Sequence, residues 1–134
     1  MLWQRLRAVR QMTLRTKAGW QGVGEVVVSQ PSEHVLLFTE KGHWEGREIS
    51  FHNVYRWTLD RGELLLEHLR QGEGRPVLLL RFTQKDEHTF TSLQPHVCGK
   101  DTYVGQLHLD AKGIHLSWSI QGPKKDQEID IIYF

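Results

Sequence analysis

Residues 48–59, Glu-Ile-Ser-Phe-His-Asn-Val-Tyr-Arg-Trp-Thr-Leu, decide the fold class. Apart from Asn53, every second residue of this stretch is large and apolar: Ile49, Phe51, Tyr55, Trp57 and Leu59. Because successive side chains of a β-strand point to opposite faces, the pattern predicts a strand with one buried and one solvated face. The same alternation recurs in residues 103–109, 114–121 and 128–133. The sequence therefore predicts an all-β protein.

Turn-forming residues interrupt the chain about every 8–14 residues, which is typical of antiparallel sandwiches and barrels. The predicted strands are residues 9–17, 21–30, 33–41, 47–59, 63–70, 76–84, 87–93, 102–110, 113–121 and 125–133. An open sheet of this length would leave two edges unprotected, so we expect a closed antiparallel up-and-down barrel of about 8–10 strands. Leu2, Leu6 and Val9 have helical spacing and predict a short N-terminal helix docked on the barrel. Residues 1–134 would then form a single domain.

The predicted strands also indicate which side chains face the interior. We expect inward positions for Ile49, Phe51, Tyr55, Trp57, Leu107, Leu116 and Trp118. Two segments, 35–38 and 77–80, are apolar at every position and so predict apolar side chains on both faces of the sheet. Some other part of the chain should cover their outer side.

Charge and composition exclude several classes of protein. The chain has 17 basic and 16 acidic residues, a net charge of +1, which argues against a dedicated nucleic-acid binder. Five basic residues precede the first acid, Glu25, and we interpret them as part of a solvated first strand: Arg5, Arg7, Arg10, Arg15 and Lys17. No apolar run approaches the roughly 18 residues that span a bilayer. A single cysteine, Cys98, and an N-terminus without an apolar signal region lead us to expect a cytoplasmic protein.

Three segments carry a resemblance to a known family. They are 53–57 (Asn-Val-Tyr-Arg-Trp), 96–105 (His-Val-Cys-Gly-Lys-Asp-Thr-Tyr-Val-Gly) and 118–126 (Trp-Ser-Ile-Gln-Gly-Pro-Lys-Lys-Asp), followed by Tyr133. From about Trp20 onward the chain resembles an uncharacterised family of small bacterial and eukaryotic proteins, a domain of unknown function with a lipocalin-like barrel. The resemblance implies a calycin-type fold and implies no reaction.

A second resemblance, to lipocalins themselves, concerns one end of the barrel. Lipocalins close that end with a tryptophan near the first strand, a turn containing Asp and Tyr, and a late basic residue over the tryptophan. Gly19-Trp20, residues 101–103 (Asp-Thr-Tyr) and Lys124-Lys125 are similar to these parts. The order of the middle motif differs from the lipocalin pattern, so the likeness is an analogy.

Four chemically versatile residues fall within eight positions: His96, Cys98, Asp101 and Tyr103. In one interpretation they orient the polar group of a ligand or exchange a proton with it. In the other they form a hydrogen-bonded plug that closes the barrel. In either case we expect contacts with Lys124 or Lys125, because both segments lie at strand ends late in the chain.

Metal and cofactor sites have little support in the sequence. A structural zinc site needs four ligands, usually in paired spacings, and the single Cys98 does not supply them. A cysteine nucleophile with His96 and Asp101 matches no known triad signature. Haem ligation by one histidine in an apolar barrel is an alternative, with these candidates: His34, His43, His52, His68 and His96. We expect no metal and no cofactor.

The combined interpretation is a barrel that binds a small, mainly apolar or amphipathic molecule with a polar or anionic head group. The candidate binding residues are Asn53, Tyr55, Trp57, His96, Asp101, Tyr103, Trp118, Lys124 and Lys125. One alternative is an enzyme that uses the His/Asp/Tyr cluster, although no strong catalytic motif supports it. The other is a barrel filled by side chains that acts as a protein-interaction module. The sequence leaves the oligomeric state open.

Overall fold

The computed structural model describes residues 2–92 and 96–134, which form one short helix and a sheet of eleven strands. In chain order the elements are α1 (Leu2–Arg7), β1 (Gln11–Thr16), β2 (Gln21–Ser32), β3 (Val35–Trp44), β4 (Ser50–Asp60), β5 (Glu63–His68), β6 (Val77–Gln84), β7 (Thr89–Ser92), β8 (His96–Cys98), β9 (Asp101–Asp110), β10 (Gly113–Gly122) and β11 (Lys125–Tyr133).

The sheet closes on itself, as predicted. Strands β1 to β7 pair in chain order, β1 also pairs with β11, and β9 and β10 complete the circuit, all antiparallel. Ten of the described strands make the closed barrel. The short strand β8 was not predicted. It pairs with residues 101–103 of β9, next to the pairing of β7 with residues 106–108.

Inward-facing side chains follow the predicted alternation with one exception. Trp57 and Leu107 are fully buried, and the other confirmed inward positions are Phe51, Tyr55, Leu116 and Trp118. The prediction that Ile49 faces inward is wrong, because its side chain is 48% exposed. Ile49 lies in the turn between β3 and β4, where its carbonyl accepts a hydrogen bond from the Trp44 amide. The chain has left the sheet there, so alternation no longer dictates direction.

A β-bulge explains the segment 77–80, which is apolar at every position. Leu66 of β5 pairs with Leu80 and Glu67 pairs with Leu78, so Leu79 has no partner in the register. A bulge places an extra residue on one strand and redirects its side chain. Both Leu79 and Leu80 are consequently buried in the core. Leu79 therefore needs no separate cover from another part of the chain, which differs from the expectation for this segment.

The helix covers one end of the barrel. Leu2 and Leu6 belong to the buried core, and the Arg5 guanidinium donates a hydrogen bond to the Asp110 carbonyl oxygen at 2.7 Å. Asp110 ends β9, so α1 lies at the end that carries the β9–β10 turn. A six-residue helix is marginal alone, and this packing stabilises it. The β1–β2, β3–β4 and β10–β11 turns lie at the opposite end.

Three glycines allow β2 and β3 to approach closely beneath the Phe51 ring. A Cβ atom on Gly42 would lie 2.2 Å from the Val23 carbonyl oxygen and 2.7 Å from the Gly24 Cα. Both obstacles are backbone, so the strands would have to separate. The same ring lies 3.2 Å from the Cβ position of Gly22.

We expect Gly42→Ala to lower the free energy of unfolding by about 1–3 kcal/mol, the usual cost of overpacking. Urea denaturation measures the change. Gly74→Ala is the matched control, because a Cβ atom there meets nothing within 4 Å, and its stability should change by less than about 0.5 kcal/mol. Equal effects of the two substitutions would contradict the close approach of the strands.

Candidate functional site

A cavity of about 460 Å³ opens at the barrel end opposite α1. Its inner wall consists of apolar and aromatic side chains from β1, β4, β10 and β11: Met12, Leu14, Tyr55, Trp118, Ile129 and Ile131. Charged side chains, Lys17, Asp126 and Glu128, lie at its mouth. The cavity therefore runs from a charged rim to an apolar interior.

Glu40 is a buried residue of a charged type, and it lines this cavity. Alternation in β3 turns Phe38 and Glu40 inward together, and Glu40 is only 1% exposed. The Tyr133 hydroxyl donates a hydrogen bond to Glu40 Oε2 at 2.5 Å. Glu40 Oε1 has no hydrogen-bond partner among the described residues. One carboxyl oxygen is thus held by the barrel wall and the other is unpaired.

Burial favours the neutral form of this carboxyl group. It raises the pKa of Glu40 from 4.5 to about 8, and the hydrogen bond from Tyr133 opposes the rise. Burial and the nearby Glu40 charge also raise the pKa values of Tyr55 and Tyr133. At pH 7 the interior of the cavity consequently carries polar groups without formal charge.

Trp118 contributes the second unpaired polar atom. Its side chain is 7% exposed, and its ring meets Tyr55 edge-on at a centroid distance of 6.1 Å. Its indole N–H has no acceptor in residues 2–92 and 96–134. The indole N–H is a donor only, so Trp118, like Glu40, lines the cavity and carries a buried polar atom without a partner among the described residues.

Aromatic rings and ion pairs shape the mouth. Trp20 and Trp44 pack edge-on at 5.4 Å, and the Arg47 guanidinium lies 3.6 Å above the Trp20 ring. Lys17 and Asp126 form an ion pair at 3.0 Å. The lipocalin comparison assigned the basic group above Trp20 to Lys124-Lys125, whereas the structure places Arg47 there. Arg47 lies in the β3–β4 turn, a position that no sequence periodicity marks.

The structure brings some predicted binding residues to the cavity. Three of the candidate binding residues, Asn53, Tyr55 and Trp118, line it. Trp57 lies instead in the core, where its ring stacks on Phe82 at 6.4 Å. Lys124 is exposed in the β10–β11 turn, outside the lining.

Sequence reasoning missed Glu40. The signal was present, because Glu40 continues the period-two series of Leu36 and Phe38. An acidic residue on a buried face is an informative exception to the usual burial pattern. The predicted strand 33–41 contained this residue, but the apolar character of its neighbours concealed the alternation.

Of the predicted His/Asp/Tyr cluster, Asp101 and Tyr103 lie at the same barrel end as the cavity mouth but outside the lining. Lys125 and Asp101 form an ion pair at 3.3 Å, which confirms the expected contact between these segments. Tyr103 is buried in the core. The His96 backbone pairs with Tyr103, and the His96 side chain lies outside the described residues. The Asp101–Lys125 pair thus joins β9 to the start of β11.

Gly122 provides the space for the Asp101 carboxylate, and this gives a testable coupling. A Cβ atom on Gly122 would clash with Asp101 Oδ1. We expect Gly122→Ala to displace the carboxylate and to cost about 1–2 kcal/mol, whereas Lys125→Ala should cost at most about 1 kcal/mol because the ion pair is partly exposed. In a double-mutant cycle followed by urea denaturation, Asp101→Ala should remove most of the Gly122→Ala cost. Strictly additive costs would contradict the coupling.

Of the candidates for haem ligation, His34, His43, His52 and His68 do not converge on the cavity, and the His96 side chain lies outside the described residues. His34, His43 and His52 are exposed. His68 stacks on Tyr55 at 4.7 Å, and burial, followed by the Arg70 charge, lowers its pKa. Within the described ranges no three His, Cys, Asp or Glu residues are grouped as metal ligands. Among the described residues, no helix is long and apolar enough to cross a membrane.

Three solved structures share the barrel architecture. EF1p2_mFAP2b bound to DFHBI is 12% identical, with a TM-score of 0.57 over 98% of this chain and 94% of that chain. The redesigned β-barrel mFAP1, bound to DFHBI, is 13% identical with a TM-score of 0.51 over 98% and 96%. The redesigned β-barrel mFAP0, also bound to DFHBI, is 10% identical with a TM-score of 0.55 over 93% of both chains. At this identity the similarity establishes the fold alone.

Sequence comparison extends over nearly the whole chain. The profile of a family of unknown function, DUF6314, matches residues 2–134. The match includes the N-terminal helix and first strand, for which the sequence motifs showed no resemblance. No curated protein matches the chain.

Proposed function

Because the chain belongs to the DUF6314 family, whose function is unknown, we propose a function from its cavity: the barrel binds one small, mainly apolar molecule. The molecule enters at the end opposite α1 and places its polar group near Glu40. In this proposal Tyr55, Trp118 and Ile129 contact the apolar body of the ligand. The proposal includes a lipocalin-like mode of entry through a single barrel end.

The observation that carries the proposal is a cavity with one covered and one open end. Its volume of about 460 Å³ falls within the range of roughly 300–1,000 Å³ found for small-molecule pockets. Apolar walls with a small number of polar groups are the usual composition of such pockets. The three similar barrels described above were each solved with the small molecule DFHBI, which supports the same use of the architecture here.

The charges at the cavity favour an uncharged polar group over an anionic one. Glu40, Asp126 and Glu128 line the cavity, and Lys17, the lining cation within the described residues, is paired with Asp126. Lys125 is engaged with Asp101 outside the lining. An anionic head group inside the barrel would lack a partner of opposite charge. In this proposal the polar head group of the ligand, placed near Glu40, is therefore uncharged.

Fluorescence titration with N-phenyl-1-naphthylamine, an uncharged apolar dye, tests the proposal. We expect saturable binding of about one dye per chain. Ile129→Phe should fill part of the cavity and weaken binding about tenfold, which corresponds to about 1.4 kcal/mol. Val104→Phe is the matched control, because Val104 is exposed on the outer face, and it should leave the affinity unchanged.

Two results would contradict the proposal. A folded protein without saturable dye binding would favour the side-chain-filled interaction module. Equal weakening by Ile129→Phe and Val104→Phe would place the dye outside the barrel. Circular dichroism of each variant establishes that the β-sheet is intact before either result is interpreted.

A further inference from the structure

Two buried polar atoms on residues that line the cavity have no hydrogen-bond partner among the described residues. They are Glu40 Oε1 and Trp118 Nε1. Both side chains are more than nine-tenths buried. An unsatisfied buried polar group costs about 1–3 kcal/mol, so a ligand that pairs with these atoms relieves a penalty that the barrel otherwise carries.

We propose that the ligand presents a hydrogen-bond acceptor without positive charge, a carbonyl oxygen, to the Glu40 carboxyl O–H and the Trp118 N–H. This inference rests on the proposed function and names the chemical class of the ligand. A site of this kind differs from a general apolar site because it should discriminate between two ligands of the same shape. A ketone is accepted and the corresponding amine is disfavoured.

The existing hydrogen bond at Glu40 determines which role the free oxygen plays. Tyr133 donates to Oε2, so Oε2 acts as the acceptor oxygen of the neutral carboxyl group. The acidic proton is then on Oε1, the oxygen without a partner. Trp118 Nε1 is a donor in every state. Both donors therefore lack an acceptor among the described residues. A carbonyl oxygen has two lone pairs and can accept a hydrogen bond from each of them.

In this proposal, side-chain rotations present these donors to the ligand. Both atoms are covered by neighbouring groups, while their residues line the cavity. The terminal torsions of Glu and Trp side chains have broad energy wells. We therefore expect a ligand next to Glu40 and Trp118 to engage them through movement of these two side chains.

The described groups packed against Glu40 offer no positive charge that would stabilise an ionised carboxylate, and the lining cation Lys17 is paired with Asp126 at the mouth. The facing titratable groups are Tyr55 from β4 and Tyr133 from β11, both neutral. Strands β1 and β2 contribute Met12 and Val26. Other polar side chains that line the cavity include Trp118 on β10 and, at the mouth, Lys17, Asp126 and Glu128. An amine ligand would have to ionise Glu40 within this apolar interior, at the desolvation cost of a buried ion pair.

The inference has a direct consequence for pH dependence. The binding-competent protein holds the proton on Glu40, whose pKa is about 8. The apparent affinity scales with the protonated fraction. Ketone affinity should therefore stay level below pH 7 and fall about tenfold by pH 9. Amine binding that depends on an ionised Glu40 would strengthen over the same range.

Isothermal titration with 2-acetylnaphthalene and 1-(2-naphthyl)ethylamine tests the inference, because the two probes share one skeleton. At pH 6.5 we expect the ketone to bind at least about tenfold more tightly than the amine. This ratio corresponds to the contribution of one hydrogen bond to a charged group, or to the cost of leaving one buried polar group unsatisfied. Raising the pH to 9 should weaken ketone binding about tenfold. N-phenyl-1-naphthylamine lacks a carbonyl group and should show no such pH dependence.

Matched variants separate the chemistry from packing. Glu40→Gln keeps an N–H donor and should retain ketone binding while removing its pH dependence; Glu40→Leu should weaken the ketone about tenfold. Trp118→Phe should weaken the ketone about fivefold and spare N-phenyl-1-naphthylamine. Trp57→Phe is the control, because Trp57 Nε1 is also unpaired but lies in the core, outside the cavity lining. It should leave ketone affinity unchanged.

The outcomes distinguish this inference from the proposed function. Dye binding together with equal affinity for ketone and amine would overturn the inference and leave the binding function standing. Amine affinity that exceeds ketone affinity, or ketone affinity that is unchanged in Glu40→Leu, would have the same meaning. If none of the three probes binds a folded barrel, both the function and the inference fail. Retained pH dependence in Glu40→Gln would exclude Glu40 as the titrating group.

Discussion

The free energy of unfolding should fall as the pH rises from 5 to 8, and Glu40→Gln should remove most of this fall. The pKa of Glu40 is raised from 4.5 to about 8 in the folded chain, chiefly by burial. Within this window the folded state holds a proton that the unfolded state has lost, so rising pH favours unfolding. The total effect is on the order of 4 kcal/mol, since each pKa unit corresponds to about 1.4 kcal/mol.

Urea denaturation at pH 5, 6, 7 and 8 measures this dependence in the wild type and in the variants. Glu25→Gln is the matched control, because Glu25 is exposed on β2 and should leave the slope unchanged. His68 acts in the opposite direction: burial lowers its pKa, so its contribution rises with pH through its titration range. The difference in slope between the wild type and Glu40→Gln isolates the Glu40 contribution, because His68 is present in both proteins. Equal slopes for the wild type and Glu40→Gln would refute the neutral buried carboxyl.

Trp57→Ala should lower the free energy of unfolding by about 3–5 kcal/mol, more than Trp118→Ala. Trp57 is fully buried, with the rings of Phe38 and Phe82 at 5.9 and 6.4 Å. Its removal opens a new void, and such voids carry a cost that grows with their volume. Trp118 borders the cavity, so its removal enlarges an existing space and sacrifices fewer contacts. We expect about 1–3 kcal/mol for Trp118→Ala.

Dye affinity provides the second readout for this pair of tryptophans. Trp118→Ala should weaken N-phenyl-1-naphthylamine binding, because the indole ring forms part of the cavity wall. Trp57→Ala should leave dye affinity unchanged under conditions in which the variant remains folded. Urea denaturation and dye titration on the same samples give both quantities. A larger loss of dye affinity in Trp57→Ala than in Trp118→Ala would place the binding site elsewhere in the barrel.

Local alternation predicted most of the barrel, and its failures have local causes. It assigned inward positions to Trp57, Leu107 and Trp118 because strand geometry imposes a period of two. It failed at Ile49, where the alternation in sequence continues after the chain has left the sheet. It gave no sign of the β-bulge at Leu79, because a bulge is defined by the register of two strands.

The site was partly predictable for the same reason. Asn53, Tyr55 and Trp118 were identified by their positions on inward faces, and all three line the cavity. Glu40 was accessible to the same argument but was missed. The contact of Arg47 with the Trp20 ring is the opposite case, because no sequence signal pointed to it. The Asp101–Lys125 ion pair also joins segments that are distant along the chain, but it was expected because both segments lie at strand ends late in the chain.

By itself, the sequence determined the all-β class, the antiparallel closure and the identity of most inward side chains. These properties follow from side-chain alternation and turn chemistry, which act over a few neighbouring residues. The tertiary structure alone decided that Trp57 fills the core while Trp118 borders a cavity, and that Tyr133 holds one oxygen of Glu40. The physical reason is that alternation specifies which face a side chain occupies. The curvature and register of all the strands together determine how much space lies behind that face.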